Sequence, residues 1–291
     1  HSLLVQGKGI EAKKYIDKID FSAYSGNEFL SDLVESAGLV LYELSEFDLV
    51  ENMCIELLHK NNVDYIAKFQ AAILLSLVNE QKGQLEDAEN YAEQAKNYID
   101  FVKTEHIKNE WLVQYYRSMA KIQYRKGCYE QGINILNECI ELFSNSEDRP
   151  FALYAVILER GLYYFFSGNL MKSEEDYKMC EAILKENNFP ESAFVVLYNN
   201  ISVNYQSIGD FERAKKYLVK MCSINKRFVD PKTYFESVVC NNIGWNEYNL
   251  GDNDKALDLL KKLFILLKNL ELIAHMIIIA RRTTLLLFLW L

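Results

Sequence analysis

Apolar and aromatic side chains recur along most of this chain at the spacing that lines one face of an α-helix. The apolar runs break at brief polar turns where glycine returns. These are NEQKGQLEDAENYAEQA around Gly83, QYRKGCYEQGINILNEC around Gly127, YFFSGNLMKSEEDYKMC around Gly168, YQSIGDFERAKKYLVKM around Gly209 and YNLGDNDKALDLLKKL around Gly251. An earlier segment, YELSEFDLVENMCIEL, puts Ser45 in the same place. Aligned on these turns, the steps between positions 45, 83, 127, 168, 209 and 251 are 38, 44, 41, 41 and 42 residues. Self-similarity at so steady a step marks stacked supersecondary units.

Each unit has the same physical grammar. A first helix ends at a turn where glycine tolerates a positive φ. Two residues on stands a hydrophobe (Phe47, Leu85, Tyr129, Leu170, Phe211), replaced by Asn253 in the last copy. Three further is a small or medium residue: Val50, Ala88, Gly132, Ser173, Ala214, Ala256. Seven before each turn lies another, Gly38, Ser76, Ala120, Gly161, Ser202 or Gly244. Small residues at both places let the paired helices cross closely. Pro150, Pro190 and Pro231 fall at steps of 40 and 41, between one pair and the next, where a helix start needs no amide donor. The spacing predicts helical pairs at 29–60, 63–100, 105–145, 150–187, 191–226 and 233–269 within a single solenoid over 1–291.

This pattern resembles the tetratricopeptide repeat, with Gly or Ala at the crossing, Gly at the turn and Ala in the second helix. The common repeat has about 34 residues, and the longer step here is similar to that of bacterial peptide-sensing regulators (the Rap, NprR and PlcR group) and of maltose-regulator-type signalling ATPases. The resemblance implies an all-α, right-handed solenoid of about six pairs with partial terminal repeats. It also implies a non-enzymatic module that binds a short peptide or protein segment along its concave face, the ligand-sensing domain of a cytosolic bacterial signalling or transcriptional regulator. An adaptor that assembles proteins, and a Rap-like regulator of response-regulator dephosphorylation, are the alternatives. VQGKGIEAKKYIDKI, with Gly7 at its turn, reads as a second helix lacking its first, so 1–20 is a partial repeat, and an N-terminal effector domain is expected outside this chain. ELIAHMIIIARRTTLLLFLWL (271–291) reads as a helix that caps the solenoid or joins two copies in a homodimer. Arg281 and Arg282 split it into apolar runs of about eight and seven, too short for a membrane span of about twenty.

Composition narrows the chemistry. With 12 Gly and 3 Pro in 291 residues, an all-β architecture lacks its turns. Lys+Arg 32 against Asp+Glu 41 gives a net charge of −9, which disfavours direct contact with nucleic acid. Six cysteines (54, 128, 139, 180, 222, 240), no two closer than eleven residues, read as free thiols and place the chain in a reducing, cytoplasmic setting. Four scattered histidines and the lack of nucleophile, metal or phosphate-loop motifs predict neither catalysis nor a cofactor. Carboxylates such as Glu86, Asp87, Glu174 and Glu175 open second helices, where they suit the positive end of the helix dipole.

In the repeat grammar, positions three, six, nine and ten before the turn face the concave groove. In the third pair they include Tyr124, Lys121 and Arg117, with Arg125 adjoining; in the fourth, Glu159 and Phe165. In the fifth they include Gln206, Asn200 and Asn199, and in the sixth Tyr248, Trp245, Asn242 and Asn241. Arg117, Lys121 and Arg125 stack on one helix face and would attract a carboxylate; a solvated basic face is the plain alternative. The echo of YNNISVNYQ in CNNIGWNEY places mediocre helix formers at equivalent interior sites. Their amides, donor and acceptor at once, either pair with a bound peptide backbone or bridge neighbouring helices.

Overall fold

The computed structural model describes residues 9–19, 21, 30–143, 150–228 and 234–269. The leading turn at Gly7, Pro231 and the terminal segment 271–291, with its capping or pairing role, lie outside them. The helices are α1 (Gly9–Ile16), α2 (Leu30–Glu43), α3 (Phe47–His59), α4 (Tyr65–Lys82), α5 (Leu85–Ile99), α6 (Glu105–Arg125) and α7 (Tyr129–Phe143). They continue as α8 (Pro150–Phe166), α9 (Leu170–Glu186), a 3-10 turn at Glu191–Ala193, α10 (Phe194–Ser207), α11 (Phe211–Phe228), α12 (Tyr234–Asn249) and α13 (Asn253–Asn269). The fold is an all-α solenoid, and the described residues form six helical pairs, α2/α3 through α12/α13. The chain divides into two compact units, His1–Ile183 and Leu184–Leu291.

The turns show why each pair bends where it does. Gly83, Gly127, Gly168, Gly209 and Gly251 have φ between 78° and 87°, and Ser45 takes the same left-handed conformation at 59°. The residue after each then reaches back to close the first helix. Gln84 N–H donates to Asn79 O at 2.9 Å, and Cys128, Asn169, Asp210 and Asp252 make the same bond to the residue five before. Asp210 and Asp252 also cap the next helix, their Oδ1 accepting from Arg213 and Lys255 N–H at 3.1 Å.

The close crossings hold within each unit. In the first, Ser76, Ala88 and Ala120 are wholly buried, and Ser76 and Ser118 hydroxyls meet at 2.8 Å between α4 and α6. One apolar layer runs through α2–α4 around Val34, Cys54 and Leu75. The next stacks Phe69 on Trp111 with centroids 4.2 Å apart, and a third joins α6, α7 and α8 around Leu136 and Tyr163. In the second unit Ser202, Ala214 and Ala256 take the crossing places, and Leu197, Leu218, Met221, Cys240 and Leu263 fill the interior. All six cysteines are free thiols. Among the described residues no helix is long and apolar enough to cross a membrane.

Candidate functional site

In the first unit, the inner faces of α2, α4, α6 and α8 enclose a groove of about 370 Å³. Glu35 and Leu39 come from α2, Gln70, Ile73, Leu74 and Leu77 from α4, Gln114, Arg117, Ser118 and Lys121 from α6, and Glu159 from α8. Three side chains expected on the concave face (Arg117, Lys121 and Glu159) therefore come together here. Arg125 stands one turn beyond.

The basic stripe is matched by carboxylates from the neighbouring helices. Arg117 Nε lies 2.9 Å from Glu159 Oε2, whose other oxygen accepts from Tyr163 OH at 2.8 Å. Lys121 Nζ and Arg125 Nε each lie 2.8 Å from an oxygen of Glu80, whose side chain is 2% exposed. Burial pulls the Lys121 ammonium down, but Tyr42 and Glu80 outweigh it and hold its pKa above the usual value. Arg117 keeps 46% of its side chain in solvent even while paired, so it stays within reach of a ligand. Glu35, at the α2 edge, has its carboxyl raised by burial and by the like charges of Asp32 and Glu110. The side-chain amides of Gln70 and Gln114 line the groove as well.

The aromatic candidates of this unit go into packing. Tyr124 stacks on Tyr163 at 5.0 Å and meets Phe166 edge-on at 5.3 Å, and Phe165 also packs against Phe166 at 5.3 Å.

In the second unit the asparagines meet one another. Asn242 Nδ2 donates to Asn199 Oδ1 at 2.7 Å, joining α12 to α10, and Asn241 Nδ2 donates to Asn242 Oδ1 at 3.2 Å. Asn199 in turn points its amide at Asn200 Oδ1, 3.5 Å away. Gln206 Nε2 donates to Asn242 O at 2.9 Å and to Asn246 Oδ1 at 3.3 Å. These amides tie two first helices together, and Asn241 and Asn242 are buried. Trp245 and Tyr248 stack at 6.0 Å, with Tyr248 exposed.

Glu35, Leu39, Gln70, Ile73, Leu74, Leu77 and Gln114 were not singled out in the sequence, although the signal for most was there. Positions six, nine and ten before the turns at 45 and 83 include Leu39 and Glu35, then Leu77, Leu74 and Ile73. Gln70 and Gln114 stand thirteen before Gly83 and Gly127, one further helical turn along the same face.

Residues 195–228 match the tetratricopeptide repeat family. No curated protein matches the chain. Among solved structures, the signal-transduction ATPase PH0952 of Pyrococcus horikoshii, with its tetratricopeptide repeat sensor, superposes with a TM-score of 0.64 at 16% identity, over 83% of this chain and 36% of that one. BtubC from P. vanneervenii gives 0.62 at 14% identity, over 78% and 90%. The Rap conjugation gene regulator of plasmid pLS20, in complex with the Phr* peptide, gives 0.59 at 11% identity, over 90% and 75%. Residues 195–228 thus match a tetratricopeptide repeat, and the chain has the fold of tetratricopeptide-repeat proteins, Rap regulators among them.

Proposed function

We propose that the groove across α2, α4, α6 and α8 binds a short extended peptide, and that the protein is the ligand-sensing module of a cytoplasmic signalling regulator. One observation carries this reading. Two amide side chains, Gln70 and Gln114, face a groove whose walls are otherwise apolar (Leu39, Ile73, Leu74, Leu77) or charged (Glu35, Arg117, Lys121, Glu159), apart from Ser118, whose hydroxyl is already bonded to Ser76. An extended peptide exposes a donor and an acceptor at every residue, and each glutamine amide can answer both. The leucines and Ile73 take its apolar side chains, and the partly exposed Arg117 offers a planar fork to a terminal or side-chain carboxylate. The Rap regulator that shares the fold was solved with a peptide bound, which supports the same class of ligand.

Native mass spectrometry of the protein expressed in its own host tests this, with a melting scan against a mixture of synthetic penta- to decapeptides. The reading predicts a retained peptide below about ten residues. It also predicts stabilisation approaching about 2.7 kcal/mol at a hundredfold excess over Kd, several degrees in a chain of this size. An empty protein whose melting temperature ignores the peptide mixture would contradict it.

A further inference from the structure

Within each unit, a second helix meets the first helix of the next pair through positions six, ten and thirteen after its turn, which share one helix face. Six after the turn, Glu51 reaches Lys82 of α4 at 2.7 Å, Glu89 reaches Lys126 of α6, and Lys215 reaches Glu247 of α12 at 3.0 Å. Ile133, the one apolar residue at this place in these junctions, is buried in the layer that α8 completes. Ten after the turn, Glu93 accepts from Tyr115 OH at 2.6 Å, and Asn137 accepts from Arg160 at 2.8 Å. Thirteen after it, Lys96 sits 5.0 Å from the Tyr115 ring centroid. The ninth position, on the same face, is buried in five pairs as Cys54, Ala92, Leu136, Tyr177 and Leu218.

On α13 this face is apolar and exposed. Leu257, Phe264 and Ile265, six, thirteen and fourteen after Gly251, are 50, 55 and 57% exposed, and Leu260, nine after, is half-buried. Ile265 stands where the other pairs carry His59, Asn97, Glu141, Ala182 and Ser223. The face toward α12 is filled as usual, with Ala256 and Leu263 buried. On α12 itself, Tyr248 occupies the place from which Glu80 and Gln206 reach the next first helix, and it too is exposed. A contiguous apolar stripe of this kind marks a surface that something covers.

We infer that residues 271–291 return along this stripe as one more first helix, docked on α13 of their own chain. They lie outside the described residues, and three observations choose them. In the other pairs the next first helix begins six to eight residues after the second helix ends, which from Asn269 places a start at about 275. The 17 residues from His275 to Leu291 make about 25 Å of helix, the length of α13 itself. Twelve of those 17 are apolar, matching a stripe of leucine, phenylalanine and isoleucine where earlier junctions pair polar and charged groups. A segment tethered by a few residues also meets the stripe at an effective concentration in the millimolar range, which favours it over a second copy of the chain.

The test places the photo-crosslinker p-benzoylphenylalanine in the whole chain at position 264 or, in a second variant, at position 257. Mass mapping on a mixture of isotope-labelled and unlabelled protein separates adducts within one chain from adducts between chains. The inference expects adducts that join α13 to residues 271–291 of the same chain. In parallel, Phe264→Glu should speed amide exchange across 271–291 by about tenfold or more while α10 and α11 keep their protection. If that variant loses its helices, Leu257→Glu provides the same reading. Adducts between two copies, no adduct to 271–291 from either position, or exchange of 271–291 unchanged in the folded variant would overturn the inference.

Discussion

Gly161 and Gly244 occupy the same crossing position in two repeats, seven residues before the turn, yet an added methyl meets different neighbours at each. In Gly161→Ala the new Cβ would stand 2.7 Å from Tyr177 Cε1, 3.1 Å from Cδ1 and 3.2 Å from Asp176 Cβ. Optimal carbon contacts lie at about 3.5–4.0 Å, so something must move. Tyr177 is 2% exposed, and Asp176 is anchored by its bidentate bond to Arg160, so neither yields freely. Overpacking of this kind costs about 1–3 kcal/mol, against about 1 kcal/mol gained from alanine's helix propensity. The net is a loss of about 1 kcal/mol. In Gly244→Ala the nearest atoms are Leu259 Cβ at 3.5 Å and Ala256 O at 3.7 Å, ordinary contacts. There the propensity gain stands nearly alone, a stabilisation of about 0.5–1 kcal/mol. The two substitutions should therefore differ by about 2 kcal/mol in opposite directions. Hydrogen exchange of α8–α9 and α12–α13 amides reads each effect in its own unit. A neutral Gly161→Ala, or a Gly244→Ala that loses 1 kcal/mol or more, would refute the crossing geometry.

Other consequences follow from single residues. Ser45 holds φ at 59° where later copies have glycine, so Ser45→Gly should raise stability by about 0.5–1 kcal/mol in urea unfolding; an unchanged midpoint would count against strain there. Burial pushes the Glu247 carboxyl up, but Lys255 and Lys215 outweigh it and hold it below its ordinary 4.5. A depressed carboxyl stabilises the fold above its unfolded pKa, and that contribution is lost as pH falls through the folded value. The melting temperature should thus drop more steeply below pH 4.5 in the native protein than in Glu247→Gln, and parallel curves would contradict the pairing. Burial pushes the Cys139 thiol up to about 12 and raises Cys54 and Cys180 as well. Iodoacetamide at about pH 8 should label Cys128 and Cys222 in the folded protein and reach the buried Cys54, Cys139, Cys180 and Cys240 only on unfolding, an order that peptide mass mapping checks.

The repeat was legible because its punctuation is physical. A glycine that must adopt positive φ and a small residue where two helices touch leave residue types that survive without a partner in view. The groove was only half legible. Periodicity places Arg117 and Lys121 on an inner face, but it does not say that Glu159 and Glu80, 42 and 41 residues away in the adjacent repeats, already meet them. The asparagine echo marked real neighbours for the same reason. Asn199 and Asn242 lie 43 residues apart, one repeat step, and the structure bonds them to each other. Charge and amide pairing between repeats depends on which rotamers reach across, and that is set by packing rather than by spacing.

Blocking the groove while leaving the solenoid intact tests the central claim most directly. Leu77→Arg puts a long charged side chain into the groove wall that Leu77 shares with Leu74 and Lys121. Its effect is read by fluorescence anisotropy with a labelled copy of the peptide that co-purifies, with circular dichroism confirming the helices. The account predicts a loss of about a hundredfold or more in affinity, about 2.7 kcal/mol, in a protein that keeps its helicity. Undiminished binding by the folded variant would place the peptide elsewhere and contradict the claim.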